Sequence, residues 1–140
     1  GRVDRIDVDA AGRALVRDYK GRRVSAGARW TEDRRLQVAL YALAVRELLG
    51  LEPVGALYQP VGARDVRPRG IVREGVPGAY VNGDVVDAEA FDAALEDARE
   101  TATLAASDLR AGRIRACPDS CLPQGGCAYP GICRAREEAA

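Results

Sequence analysis

Val3-Asp4-Arg5-Ile6-Asp7-Val8-Asp9 and Ala14-Leu15-Val16-Arg17-Asp18-Tyr19-Lys20 each alternate in strand fashion, on either side of Ala10-Ala11-Gly12. A period of two marks a half-buried strand. In the first strand Asp4, Ile6 and Val8 share one face, and Val3, Arg5 and Asp7 the other. In the second, Ala14, Val16, Asp18 and Lys20 share a face. A three-residue hairpin loop with glycine in the left-handed position fits between them. That turn pairs Asp9 with Arg13, Val8 with Ala14, Ile6 with Val16 and Asp4 with Asp18, and the apolar faces then coincide.

Working outward, residues 21–29 read as a polar loop. Thr31 is a candidate cap for a helix from Glu32 to Leu49, with Glu32 and Asp33 favourable in its first turn and Gly50 at its end. Leu36, Val38, Leu40, Leu43, Val45 and Leu48 make that helix apolar nearly all round, which predicts burial against a sheet. Val54 to Val61 reads as a third strand, and the Gly-, Pro- and Arg-rich stretch from Gly62 to Gly78 as a loop or irregular hairpin. Asp87 to Ala111 is an amphipathic helix with Phe91, Ala94, Leu95, Ala98, Ala102, Ala105 and Leu109 on one stripe, ended by Gly112. The tail holds all four cysteines.

The 140 residues suit one domain, and the formal net charge is zero. No global field draws the chain to a polyanion, so such a partner must be met by a local patch or by metal ions. No apolar run approaches the roughly 20 residues of a membrane span and no signal peptide opens the chain, which predicts a soluble, cytoplasmic protein without a membrane partner. The absence of methionine and a first residue already inside the alternating pattern read as the C-terminal piece of something longer.

Lys20 is the one lysine beside twenty arginines. A lysine is a compact point charge with a tunable pKa, whereas an arginine is a planar fork that stays protonated. In the register above Asp4 and Asp18 are cross-strand partners with Cβ atoms about 5 Å apart, where like charges are destabilising. Protonation of one carboxyl or a bridging Mg²⁺ or Mn²⁺ would relieve that repulsion, and these ions take one or two carboxylates plus waters and substrate phosphate. Lys20 on the same face could then hold an attacking water or stabilise charge on a phosphate. The bland account is a solvent-facing Asp-Lys pair of little consequence. Gln37 and Tyr41, four apart, share a helix face. They read either as a buried tyrosine with a partner or as a polar patch flanking the carboxylates.

Gly1-Arg2-Val3-Asp4-Arg5-Ile6-Asp7, then Asp18-Tyr19-Lys20, Gln37-Val38-Ala39-Leu40-Tyr41 and Gly55-Ala56-Leu57-Tyr58 together resemble the PD-(D/E)XK nuclease domain of the RecB/AddB type. The resemblance implies an α/β restriction-endonuclease-like core, a mixed sheet flanked by helices. It implies Asp4 and Asp18 as metal ligands with the Tyr19 carbonyl as a third, Lys20 as the catalytic lysine, and Gln37 and Tyr41 as the associated helix motif. The implied activity is Mg²⁺- or Mn²⁺-dependent exonucleolytic hydrolysis of DNA in repair or recombination, beside a helicase domain or subunit. The family also carries an acidic residue or histidine on a helix before the first aspartate strand, and this sequence has no histidine. A reading of a different class is a non-catalytic DNA-binding or scaffolding module stabilised by its metal-bound tail. A zinc-stabilised RNA-binding domain fits less well, since one Trp, one Phe and five Tyr offer no clustered stacking platform.

Cys117, Cys121, Cys127 and Cys133 form C-x3-C-x5-C-x5-C. Four clustered thiols in an intracellular chain favour a metal over disulfides. Zinc sites usually show C-x2-C knuckles, absent here, while thiolates on a short segment also suit an iron–sulfur cluster. The resemblance extends to the segment Cys127-Ala128-Tyr129-Pro130-Gly131-Ile132-Cys133-Arg134 and implies a structural 4Fe–4S cluster, with zinc or free thiols as alternatives. The expected division is a nuclease core over residues 1–112 and a metal-binding tail over residues 113–140 packed on it.

Overall fold

The computed structural model describes residues 1–21, 24, 26–31 and 35–113. It divides into two compact units, Gly1–Thr103 and Leu104–Ala140. In the first unit β1 (Arg5–Val8) and β2 (Arg13–Lys20) pair antiparallel, with Arg5 opposite Arg17 and Val8 opposite Ala14. This is the register set by the alternating pattern. Gly12 adopts φ 78°, the left-handed conformation the turn requires. The Asp9 carboxylate accepts the Ala11 and Arg13 N–H groups, each at 2.9 Å, and so closes the loop.

The chain crosses from β2 through α1 (Gln37–Leu49) to β3 (Glu52–Pro60), which lies parallel to β2. Next comes β4 (Arg69–Arg73), antiparallel to β3, and then the two-residue β5 (Val85–Val86), parallel to β4. The mixed sheet has the order β1-β2-β3-β4-β5. Its flanking helices are α1 and α2 (Ala88–Arg110), so the fold is the expected α/β restriction-endonuclease-like one.

Ala14, Val16, Ala56, Tyr58 and Ile71 pack beneath Val38, Ala42, Phe91 and Leu95 from the helices. Phe91 is fully buried, a contribution of about 1.5–3 kcal/mol for a side chain of this kind. The opposite face carries Leu15, Leu57 and Val72 under Val76, Tyr80 and Val85.

Of the two readings of Gly62 to Gly78 the irregular hairpin stands, since β4 pairs antiparallel with β3 and buries Ile71 and Val72 between polar flanks. Four other expectations need correction. Arg35 and Leu36 are not helical and α1 starts at Gln37. Thr31 does not cap it, since its hydroxyl donates to the Asp97 carboxylate of α2. Nor is α1 apolar in a buried sense all round: Val38, Ala39, Ala42, Leu43 and Val45 are buried, while Leu48 is 80% exposed. Finally, the stripe on α2 is buried at Phe91, Leu95 and Ala98, whereas Ala105 and Leu109 are exposed.

The ends of the helices follow the sequence signals. Asp87 Oδ1 accepts the Ala90 N–H at 2.7 Å at the start of α2. At its end Gly112 at φ 69° donates to Leu109 O and Arg113 to Asp108 O, the paired bonds of a Schellman motif. No helix among the described residues is long and apolar enough to cross a membrane.

Candidate active site

The last turn of β2 alternation brings Asp18 and Lys20 to the face covered by α1. Asp18 is 3% exposed, one of two buried charged residues among those described. Its Oδ2 is buried and accepts no hydrogen bond of good geometry, but the Lys20 ammonium lies 2.5 Å away and balances its charge. Lys20 Nζ also donates to Gln37 Oε1 at 2.8 Å, and Gln37 Nε2 donates to Tyr41 Oη at 3.0 Å. Gln37 opens α1 and Tyr41 follows one turn later on the same face, as the four-residue spacing predicts. The backbone of Gly1 lies against that phenol: a Cβ there would stand 2.9 Å from Tyr41 Oη.

Asp4 sits one residue before β1, and continuing the register from Arg5 and Arg17 sets it across from Asp18. It is exposed, not half-buried as expected, and its Oδ2 accepts the Tyr19 N–H at 2.9 Å. Tyr19 itself is 42% exposed. Asp4, Asp18, Tyr19, Lys20, Gln37 and Tyr41 therefore gather at one edge of the β2–α1 face. Cys117, Cys121, Cys127 and Cys133 lie outside the described residues.

Among the described residues no group of three or more His, Cys, Asp or Glu comes together as a metal cage. The chemistry of the donors is that of Mg²⁺ or Mn²⁺, which take one or two carboxylates with waters and a substrate phosphate, but here Asp18 Oδ2 is held by Lys20 and Asp4 Oδ2 by the Tyr19 N–H.

Sequence reading gave no site role to Tyr58, quoted only as part of the Gly55–Tyr58 strand, or to Arg35. Tyr58 stands beside Asp18 in the β2–β3 register, and Lys20 Nζ is 5.5 Å from its ring centroid. Tyr58 Oη donates to Arg35 O at 2.7 Å, immediately before α1. Burial pushes the Tyr58 phenol above its ordinary value of 10.0, reinforced by the Asp18 charge and opposed by the Val38 and Gln37 N–H groups and Arg35. It therefore remains a proton donor at neutral pH. Lys20, Arg35, Leu36, Gln37 and Tyr58 line a pocket of about 330 Å³. A tyrosine inside an apolar strand was the available signal, but its neighbours depend on the parallel β2–β3 register, which sequence alternation does not specify.

The family model of the PD-(D/E)XK nuclease superfamily matches residues 1–134. No curated protein and no solved structure matches the chain.

Proposed function

Since the chain belongs to the PD-(D/E)XK nuclease superfamily, whose members cut nucleic acid with divalent metals, we propose that it is a cytoplasmic DNA exonuclease of the RecB/AddB type, serving repair or recombination beside a helicase domain or subunit. The observation that supports this reading is the continuous Asp18–Lys20–Gln37–Tyr41 chain of contacts, drawn from two separate elements around a buried carboxylate. Asp4 and Asp18 would hold Mg²⁺ or Mn²⁺, with the Tyr19 carbonyl as a further ligand. When bound, such an ion supplies Lewis acidity toward a water and the phosphate oxygens. Lys20 donates hydrogen bonds to the attacking water or to a phosphate oxygen as negative charge grows there. Gln37 holds the ammonium by its Oε1, and Tyr41 fixes the Gln37 amide.

The proposed division is a nuclease core over residues 1–112 and a tail over residues 113–140, with Cys117, Cys121, Cys127 and Cys133 holding a structural 4Fe–4S cluster or, alternatively, zinc. Four thiolates in a short segment are suitable ligands for either. Anaerobic purification with metal analysis and a visible absorption spectrum separates the two.

The test of activity is degradation of a labelled linear DNA by the full chain in Mg²⁺ or Mn²⁺, repeated in chelator and with Asp18→Asn and Lys20→Ala. Metal-dependent release of nucleotides, lost in both variants, is expected. DNA binding without cleavage, indifferent to Asp18→Asn, would instead mark a non-catalytic binding module.

A further inference from the structure

We propose that Arg35 grips a phosphate of the bound strand in the pocket it shares with Lys20. The proposal rests on the nuclease reading above and adds to it a substrate-holding subsite. Arg35 and Lys20 are the two cations lining this pocket of about 330 Å³, together with the Gln37 amide and the Tyr58 ring. Their settings differ. Lys20 is engaged from two sides, by Asp18 Oδ2 at 2.5 Å and Gln37 Oε1 at 2.8 Å, which aims the ammonium at the buried carboxylate.

Arg35 is anchored through its backbone, not its side chain. Its N–H donates to Trp30 O at 2.8 Å and its carbonyl accepts Tyr58 Oη at 2.7 Å. Trp30 is 2% exposed and Tyr58 3%, so both anchors belong to the core. The Arg35 residue itself is exposed. Arg35 thus lines the pocket on a backbone held from both sides, and a guanidinium fork matches two phosphate oxygens where an ammonium offers a point charge. Beside it, α1 begins at Gln37 with no side-chain cap and no acidic residue in its first turn, a helix end that favours an anion. Tyr58 meets both residues, with its ring near the Lys20 ammonium and its hydroxyl on the Arg35 backbone carbonyl.

The experiment is fluorescence anisotropy of the full chain with a labelled DNA oligonucleotide in chelator, over a salt series, for wild type, Arg35→Ala and Arg35→Lys. Because the Arg35 contacts are made by its backbone, Arg35→Ala keeps them, and circular dichroism checks the fold. Arg35→Ala is expected to weaken binding about tenfold, the loss of one charge-assisted phosphate contact. The slope of log affinity against log salt should fall by about one phosphate's worth, with Arg35→Lys restoring the slope more than the affinity. In Mg²⁺ the same variant should raise KM more than it lowers kcat. An Arg35→Ala protein with wild-type affinity and salt slope overturns the subsite while leaving the nuclease reading intact. Wild-type protein that binds DNA with the Arg35-dependent slope but never cleaves it overturns the nuclease reading and supports the phosphate grip.

Discussion

Lys20 Nζ donates to Gln37 Oε1 across 2.8 Å, which ties the end of β2 to the first turn of α1. The Gln37 amide is in turn held by Tyr41. Removing one such bond should let the ammonium wander, so Gln37→Ala is expected to lower kcat about tenfold with a smaller effect on KM. Tyr41→Phe should cost about threefold, and the double variant no more than Gln37→Ala alone, because Tyr41 acts through Gln37. Steady-state kinetics on one DNA substrate decide it: fully multiplicative losses would show that the two residues act independently.

Glycines 70 and 50 separate conformational strain from steric collision. Gly70 has φ 151°, and a Cβ there would lie 2.2 Å from Ala56 O on the neighbouring strand. Gly50 ends α1 at φ 63° with nothing within 4 Å of such a Cβ. Gly50→Ala is therefore expected to cost about 1 kcal/mol, the ordinary penalty of a left-handed alanine. Gly70→Ala must also shift β3 from β4, and its loss in urea unfolding should be at least double. Equal losses would mean the sheet yields at that point.

Asp84 is 1% exposed, and its carboxylate accepts from Arg69 Nε at 2.7 Å, Arg69 Nη2 at 3.4 Å and the Gly70 N–H at 3.3 Å. Three donors converge on one buried anion that holds the start of β4. Asp84→Ala leaves a partly buried guanidinium and a backbone N–H without that acceptor, and should destabilise the fold by about 3 kcal/mol. Asp84→Asn keeps an acceptor and should lose less. A urea midpoint for Asp84→Ala near that of wild type would remove the pair from the account of stability.

Asp7 gives the fold an acid limit. Burial pushes its carboxyl up, but hydrogen bonds and charge from Arg5 and Arg17 more than reverse this and hold it below its ordinary value of 3.8. A carboxyl depressed in the folded state contributes stability that is present above its unfolded pKa. That contribution is lost as pH falls through the folded value. Stability should thus decline as pH drops below about 4, and Asp7→Asn should flatten part of that decline. Urea midpoints of the two proteins between neutral pH and pH 3 measure it; parallel curves would exclude Asp7.

The hairpin was legible because alternation and one glycine specify both register and turn, and Asp18 and Lys20 followed from it. That Gln37 and Tyr41 share a helix face was legible from their spacing, whereas their link to the carboxylates came from the resemblance. Asp4 was placed in register, but its exposure was not, since that depends on how the chain enters β1. The strand β4 escaped because three residues, Gly70, Ile71 and Val72, carry its burial between arginines. The start of α1 was misplaced because Thr31 found a partner 66 residues away, in Asp97. The Thr31 partner was non-local, and Tyr58, placed by the parallel β2–β3 register, is the plainest example of that kind.

The Tyr58 ring and hydroxyl make separable contributions. The ring sits 5.5 Å from Lys20 Nζ, and the hydroxyl bonds Arg35 O. Tyr58→Phe keeps the first contact and deletes the second, leaving the Arg35 carbonyl without its phenol; about 1 kcal/mol of stability should go, with turnover reduced only slightly. Tyr58→Leu also removes the aromatic face, worth about 0.5–1 kcal/mol to a partly exposed ammonium, and opens space beneath Lys20. Its kcat should fall well below that of Tyr58→Phe. Thermal unfolding and single-turnover cleavage on both variants read the two effects apart. If Tyr58→Phe slows cleavage as severely as Tyr58→Leu, the hydroxyl and its hold on Arg35, not the ring, govern the position of Lys20.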